Sequence, residues 1–275
     1  MIAIGTRMEL QYLRWRRFPE RLQIVRIDID PREMARRKAS VAIVADAAAA
    51  TRALAAAVVP KVRQRSSRAA EWAAAKTAAR RKYEAVQPQV AYLDAIRAVL
   101  PRDGFLVEEI CQVGFAARFA YPVWEPRTYV SCGYQDTLGF GFMSALGVKA
   151  AAPAKPVVSI NGDGGFLFGV QELATAVQHR LGVVAIVFNN RGFGNVLRDQ
   201  RARGHELGAA LVNPDFITLA RSFGADAHRV ASPEELRPAL ARALQGNGPA
   251  VIEVPVEPGA ETSPWPFLHP WTQAH

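Results

Sequence analysis

The feature that most constrains the fold is a regular alternation of apolar runs with helical segments. Val157–Ile160 and Val183–Phe188 consist almost entirely of apolar residues, a composition typical of strands buried on both faces of a parallel sheet. Shorter runs of the same kind occur at Phe105–Val107, Ala227–Val230 and Ala250–Val254. The pattern predicts an α/β fold with a doubly wound parallel sheet that has helices on both faces.

In the segments between these strands, apolar residues recur with the spacing of an amphipathic helix. The predicted helices are Gln89–Leu100, Leu138–Ala150, Phe166–Arg180, Pro214–Phe223 and Ser232–Leu244. The last of them begins with the sequence of a capping box, with proline in its first turn. Parallel sheets of this kind bind ligands at the carboxyl ends of their strands, so we expect the functional site there.

A smaller α/β layer is predicted before residue 60. Its strands are Ile2–Gly5, Leu22–Asp30 and a buried strand Val41–Ala45, and its helices are Pro31–Lys38 and Ala47–Val59. The chain then divides into four parts, which are a partial α/β domain at 1–60, a basic helix or linker at 61–88, the main α/β domain at 89–258 and a Pro/Trp-rich tail at 259–275.

Positive charge is concentrated in the first third of the chain. Residues 1–82 contain 19 Lys and Arg against 7 Asp and Glu, whereas residues 83–275 contain 15 against 18. The densest run, Lys61–Lys82, is rich in alanine and arginine and predicts an exposed helix or linker, with phosphate binding as the alternative. Nucleic acid is disfavoured as a partner because no row of stacking aromatic residues accompanies the charge.

Composition narrows the class of protein further. Half of the residues are hydrophobic and 21% are charged, which argues against an intrinsically disordered chain. The longest apolar stretches are interrupted by Asp46 or end at Pro60, so no membrane span is expected. The N-terminus lacks the pattern of an export signal, and the cysteines are Cys111 and Cys132, so we expect a soluble, reduced, cytoplasmic protein.

Two turns rich in glycine and asparagine follow the two longest apolar runs. Asn161-Gly-Asp-Gly-Gly165 comes after the first run and Asn189-Asn-Arg-Gly192 after the second, with Asn190 27 residues beyond Asp163. Adjacent parallel strands bring such turns together, and a glycine turn before a helix exposes N–H groups that suit phosphate. The Asp163 carboxylate, the Asn190 amide oxygen and a backbone carbonyl would form the oxygen-only site that Mg²⁺ prefers.

These residues resemble the signature of the thiamine-diphosphate-dependent enzymes, in the superfamily of acetolactate synthase, benzoylformate decarboxylase and pyruvate oxidase. Gly162-Asp-Gly164 and Asn189-Asn190 match the GDG and NN motifs at the family's spacing, and Gly165–Thr175 is similar to the helix that follows its GDG motif. Ser131–Gly141 is similar to the segment that meets the cofactor's aminopyrimidine ring. The resemblance implies that the main domain binds thiamine diphosphate and that the first 60 residues are part of the family's central domain.

The resemblance also implies a role for each residue of the two turns. Asp163 and the side chain of Asn190 would bind Mg²⁺, with the backbone carbonyl of Gly192 as the third protein ligand. Gly164 and Gly165 would donate N–H groups to the diphosphate of thiamine diphosphate.

Further cofactor contacts are implied on either side of the metal site. Gly162 belongs to the diphosphate loop. Leu138 matches the apolar residue that forces the thiamine into its V shape, and the backbone carbonyl of Asp136 would accept a hydrogen bond from the 4′-amino group. Phe193 is expected beside the cofactor, on the side of the substrate. Asp199 stands where acetohydroxyacid synthases have a tryptophan, which argues against an acetolactate synthase proper. The 2-oxo acid that the family resemblance implies as substrate is left unspecified.

The resemblance implies a decarboxylase or carboligase acting on 2-oxo acids. In the family, the glutamate that protonates N1′ lies in a pyrimidine-binding domain, and no glutamate of this chain aligns with it, so we assign no catalytic residue here. We therefore expect a homo-oligomer or a second subunit that carries this domain, and a chain that is inactive alone. A truncated gene, and a non-catalytic remnant or interaction module that keeps the fold, remain alternatives.

Three kinds of residue that could be mistaken for catalytic or metal-binding groups are given structural interpretations. Cys132 is interpreted as a packing residue rather than a nucleophile. Glu172 is interpreted as a structural hydrogen-bonding group rather than the catalytic acid. The histidines show no ligand spacing, and His269 lies in the tail.

Overall fold

The structure is a computed structural model that describes residues 1–10, 13–14, 21–36, 38–62, 66–133 and 136–268. The chain forms two compact units, Met1–Ala74 and Ala75–His275. The division falls within the segment 61–88, which the sequence predicts to be a basic helix or linker.

The smaller unit contains a short α/β layer. Its elements are β1 (Ile2–Ile4), β2 (Glu9–Leu10), β3 (Leu13–Arg14), β4 (Val25–Asp28), α1 (Pro31–Arg36), β5 (Val41–Val44) and α2 (Ala47–Val58), and α3 (Ala69–Tyr83) spans the division between the units. The sheet order β1-β4-β5 is parallel, and β2 and β3 form a separate antiparallel pair. The predicted partial α/β layer is thus confirmed.

The edge strand β5 is exposed, so the prediction of a buried strand at Val41–Ala45 was wrong. Val41 and Val44 are 50% and 53% exposed. β5 pairs with β4 on one side. Ala50 is the buried residue of the alanine-rich helix α2, so few apolar side chains pack against the strand. The helix α3 has no buried residue, which confirms the exposed Ala/Arg helix predicted from the basic run.

The larger unit alternates strands and helices along its length. Its elements are α4 (Gln89–Val99), β6 (Phe105–Glu108), α5 (Gln112–Ala120), β7 (Tyr129–Val130), α6 (Phe140–Ala151), β8 (Val157–Gly162), α7 (Asp163–Leu167), α8 (Leu173–Gln178), β9 (Val183–Asn189), α9 (Gly194–Arg201), α10 (Phe216–Ser222), β10 (Asp226–Arg229), α11 (Pro233–Ala243), β11 (Ala250–Pro255) and α12 (Trp265–Leu268). The strands form one sheet of order β10-β11-β9-β8-β6-β7, and every pair is parallel. The predicted parallel sheet is confirmed.

The sheet separates two hydrophobic clusters, one on each face. Successive side chains of a strand point to opposite faces, so Val158 and Ile160 of β8 pack with α4, α5 and α11, whereas Val157 packs with α6, α7, α8 and α10. All three side chains are fully buried, and burial of each stabilises the fold by about 1.5–3 kcal/mol. Helices therefore cover both faces of the sheet, and this packing holds the carboxyl ends of the strands in place.

The single helix predicted over Phe166–Arg180 was wrong, because it is broken into α7, a 3₁₀ turn at Val170–Glu172 and α8. The break lies at Gly169, where a Cβ atom would come within 2.6 Å of Met143 Cγ. The sequence analysis also missed α5 and α9. Among the described residues, no helix combines the length and the apolar character of a membrane span.

The N-cap predicted for α11 is confirmed, although the Glu235 carboxylate accepts the N–H of Ala231 where a capping box would use that of Ser232. The N-cap yields a stability prediction. Ser232 Oγ accepts the Glu235 N–H at 3.3 Å, and the Glu235 carboxylate accepts the Ala231 N–H at 2.8 Å. We expect Ser232→Ala to lower the free energy of unfolding by about 1 kcal/mol, since it removes the acceptor at the helix N-terminus. Urea denaturation measures the change. Ser232→Asp, which retains an acceptor, should remain close to the wild type; an equal loss in both variants would contradict the assignment.

Candidate functional site

The two predicted turns meet at the carboxyl ends of β8 and β9. The parallel register pairs Asn161 with Val187 and Gly162 with Phe188, so Asp163 and Asn189 leave neighbouring strands at the same level. The site therefore lies where a doubly wound sheet is expected to bind its ligand.

Asp163 is the buried carboxylate of this site. It is the first residue of α7 and is 2% exposed. Its Oδ2 accepts the Gly192 N–H at 3.1 Å and the Asn213 Nδ2–H at 2.6 Å. Burial raises the pKa of this carboxyl, while the hydrogen bonds from Asn213 and from backbone amides act in the opposite direction. The structure thus brings the Gly192 backbone against Asp163 through its N–H group, and the metal contact expected from the Gly192 carbonyl remains a prediction.

Asn213 is a site residue that the sequence analysis missed. Its amide nitrogen donates to both Asp163 Oδ2 and Asn189 Oδ1, the latter at 2.9 Å. Its own Oδ1 is buried without a hydrogen-bond partner among the described residues. Asn213 lies in an irregular segment before α10, 24 residues beyond Asn189, so no spacing signal identifies it.

Asn190 contacts a residue of the C-terminal tail. Its Nδ2 donates to Glu261 Oε2 at 3.0 Å, and it lies 3.0 Å from the position that a Cβ atom of Gly194 would occupy. Burial raises the pKa of the Glu261 carboxyl, and the nearby Asp163 acts in the same direction. The sequence analysis missed Glu261, which lies in the Pro/Trp-rich tail that it left without a functional role.

Two glycines of the predicted diphosphate loop are required by close contacts. A Cβ atom on Gly164 would lie 2.5 Å from Phe193 Cε1, and one on Gly165 would lie 1.7 Å from Glu109 Oε1. A Cβ atom on Gly162, at the end of β8, would lie 3.2 Å from Cys111 Cβ. The ring of Phe193 therefore packs against the loop at Gly164, and its expected position beside the cofactor remains a prediction.

Glu109 joins this loop to the segment before α6. It follows β6, is 0% exposed, and accepts the Gly139 N–H at 2.8 Å and the Gly141 N–H at 3.0 Å. Burial raises the pKa of Glu109 to about 7, although the two amides favour its charged form. Leu138, the predicted wedge, immediately precedes Gly139 and is half-buried. The two adjacent glutamates at the end of β6, Glu108 and Glu109, were the sequence signal for this residue. The sequence analysis did not use that signal.

Asp136 lies in a buried ionic cluster. The Arg118 guanidinium binds Glu108 at 2.8 Å and Asp136 at 2.5 Å, and Tyr129 donates its hydroxyl hydrogen to Glu108 at 2.5 Å. The backbone of Asp136 has a positive φ of 46°. The role predicted for its carbonyl remains a prediction, and the adjacent residues 134–135 of the resembling segment lie outside the described residues.

Cys132 completes this cluster and behaves as a structural residue. Its Sγ lies 3.1 Å from Asp136 Oδ1, and burial together with this hydrogen bond raises the pKa of the thiol to about 12. Cys132, Asp136 and Glu108 offer ligand atoms within 4.8 Å of one another. The Arg118 guanidinium already pairs with both carboxylates, so a cation of the protein itself occupies this cluster.

Comparison with known proteins identifies the class of the fold and the site. The family described as "Thiamine pyrophosphate enzyme, C-terminal TPP binding domain" matches residues 109–254. The thiamine diphosphate-dependent 4-hydroxybenzoylformate decarboxylase of Rhodococcus jostii RHA1 is similar in structure, with a TM-score of 0.70 at 24% identity over 87% of this chain and 45% of that chain. This structural likeness supports the fold.

The chain belongs to the thiamine pyrophosphate enzyme family. It is 33% identical to the probable acetolactate synthase large subunit of Methanocaldococcus jannaschii, over 96% of this chain and 47% of the relative. It is 30% identical to the probable 2-ketoarginine decarboxylase AruI of Pseudomonas aeruginosa, over 92% of this chain and 46% of the relative. The chain thus spans about half the length of these relatives.

The buried Glu109 predicts a dependence of stability on pH. The pKa of Glu109 is raised from 4.5 to about 7 on folding, so the folded state holds this proton more tightly than the unfolded chain does. Its contribution is fully present below about pH 4.5 and is lost as the pH rises through about 7. Relative to Glu109→Gln, the wild type should lose about 3 kcal/mol of unfolding free energy over this range.

Urea denaturation at a series of pH values measures this difference. Glu257→Gln, at an exposed glutamate, is the matched control and should show a nearly constant difference from the wild type. A constant difference between the wild type and Glu109→Gln would contradict the assignment.

Proposed function

We propose that this chain is the diphosphate- and Mg²⁺-binding portion of a decarboxylase or carboligase that acts on 2-oxo acids, of the acetolactate synthase type. The observation that carries the proposal is the buried Asp163 carboxylate, which is hydrogen-bonded to Gly192 and Asn213 at the ends of adjacent parallel strands. Family membership supports the same cofactor.

The donor set fits a hard divalent cation. Asp163 supplies a carboxylate, Asn190 supplies an amide oxygen, and the buried Asn213 Oδ1 is free to accept a hydrogen bond from metal-bound water among the described residues. Mg²⁺ favours such oxygen ligands and keeps phosphate oxygens and water in its remaining positions. We therefore assign the cation to Asp163, Asn190 and the carbonyl of Gly192.

Thiamine diphosphate, when bound, supplies the electron sink that decarboxylation of a 2-oxo acid requires. The protein supplies binding and placement. Gly164 and Gly165 leave room for the backbone to approach the diphosphate, Leu138 offers an apolar support, and the Phe193 ring covers the loop and excludes water from it.

We further propose that the acid for N1′ comes from another domain or subunit. Glu109 is unsuited to that role because both its carboxylate oxygens accept backbone N–H groups at full burial. The relatives are about twice as long as the matched region, which leaves room for such a domain. Apolar side chains exposed on the smaller unit, including Ile2 at 57% and Ile29 at 72%, are consistent with a further protein surface.

Binding of thiamine diphosphate tests the site itself. Titration calorimetry with Mg²⁺ present should show binding to the wild type that chelation of the metal abolishes. Asp163→Asn removes the ligand charge and should weaken binding by about 100-fold or more, since even residues that support metal ligands contribute 10–100-fold. Asp199→Asn, at an exposed position beyond the turn, is the matched control. Unchanged affinity in Asp163→Asn would contradict the metal assignment.

Activity tests the need for a partner. The purified chain with thiamine diphosphate and Mg²⁺ should release no CO₂ from pyruvate or other 2-oxo acids, because no acid is placed to protonate N1′. A coupled CO₂ assay measures this. Turnover by the chain alone would overturn the partner proposal, whereas absence of cofactor binding would favour a non-catalytic protein that retains the fold.

A further inference from the structure

The segment after β11 returns to the metal site and is anchored on both sides of Glu261. The Thr262 N–H donates to the Gln87 carbonyl at 2.9 Å, and the Gln89 side-chain amide donates to the Thr262 carbonyl at 2.6 Å. The Val256 N–H donates to the Asn189 carbonyl at 2.9 Å. Glu261 is thus held at a fixed place beside the turn that follows β9.

Trp265 attaches the same segment to the start of α9. Its ring lies 4.9 Å from that of Phe115, and its indole N–H donates to Asn195 Oδ1 at 3.3 Å. Gln112 Nε2 donates to the same oxygen at 2.7 Å. These contacts tie the tail to a residue five positions beyond Asn190, so the tail and the metal-binding turn hold each other in place.

The hydrogen bond between Glu261 and Asn190 determines which way the Asn190 amide faces. A carboxylate can only accept, so the amide must present its NH₂ group to Glu261. The opposite orientation would place two oxygen atoms in contact. With Nδ2 held at 3.0 Å from Glu261 Oε2 and close to the Gly194 Cα, Oδ1 turns away from the tail. Oδ1 has no hydrogen-bond donor among the described residues, so it is available to a cation.

We propose that Glu261 is a positioning residue of the cation site, which acts by fixing the Asn190 amide with its oxygen toward the metal. This inference rests on the proposed function, since it assigns a role to a residue beside the proposed cation site. Groups that accept a hydrogen bond from a metal ligand orient it and tune its affinity. Glu261 is then part of the binding machinery.

Variants at Glu261 test the proposal through metal-dependent binding of thiamine diphosphate, measured by calorimetry at fixed pH. Glu261→Ala removes the acceptor and should weaken binding by about 10–100-fold. Glu261→Gln keeps a carbonyl that accepts the same hydrogen bond and should recover most of that loss. Failure of Gln to recover it would indicate that the charge contacts the cation directly, and would overturn positioning through Asn190.

A double-variant cycle separates positioning from tail packing. In an Asn190→Ala background, Glu261→Ala should cause little further loss of affinity, because the amide through which it acts is gone. Phe267→Leu is the packing control, since Phe267 stacks on Phe119 at 5.1 Å in the tail, and it should leave the affinity for Mg²⁺ unchanged. Additive losses in the cycle, or an equal loss in Phe267→Leu, would overturn the proposal.

The same measurements distinguish failure of this inference from failure of the proposed function. If Asp163→Asn weakens binding while Glu261→Ala does not, the cation site stands and Glu261 has no positioning role. If the wild type shows no metal-dependent binding, both are overturned. Electron paramagnetic resonance of Mn²⁺ bound in place of Mg²⁺ gives a second readout, since a misplaced amide ligand should alter the spectrum in Glu261→Ala and leave it unchanged in Phe267→Leu.

Discussion

The parallel pairing of β8 with β9 is the constraint on which the site depends. It sets Gly162 beside Phe188, so that the next residues of both strands emerge together at one edge of the sheet. The apolar side chains on both faces hold the two strands in this register, because a shift by one residue would turn each buried side chain toward the other face. The distance between Asp163 and Gly192 is therefore fixed by the core, and the polar groups only complete the arrangement.

Three buried carboxylates near this edge are compensated by two kinds of partner, a cation and neutral N–H groups. Glu108 is paired with the Arg118 guanidinium, and Glu109 accepts two backbone amides. Asp163 accepts neutral N–H groups, which stabilise a charge less than a cation does. Glu109 likewise accepts only neutral N–H groups among these contacts, so the kind of donor does not separate it from Asp163. Asp163 differs in its place, because it accepts an N–H group from the turn that follows β9, where we propose the cation site.

The sequence predicted the parts of the fold and site that depend on local pattern. Five of the six strands of the main sheet were predicted from their apolar runs, and the two-residue strand β7 was missed. Asp163 and Asn190 were selected as candidate ligands from the turns that follow β8 and β9. The helix at Phe166–Arg180 was mispredicted because Gly169 breaks it under Met143, a contact between distant segments. Asn213 and Glu261 contact the site from 50 and 71 residues beyond their partners, Asp163 and Asn190. No periodicity or spacing encodes such contacts, so tertiary structure was needed to find them.

The charges around the site also bear on the order of ligand binding. The carboxylates of Asp163 and Glu261 lie close enough for each to influence the other, and their hydrogen-bond donors in the structure are neutral amides. A diphosphate that bound without a metal ion would bring more negative charge next to these two carboxylates. They are partly buried at the carboxyl end of the sheet, where solvent and salt screen electrostatic repulsion poorly. A divalent cation reverses this balance, because it is attracted by both carboxylates and then attracts the phosphate oxygens. Binding of the metal and of the diphosphate should therefore be mutually dependent.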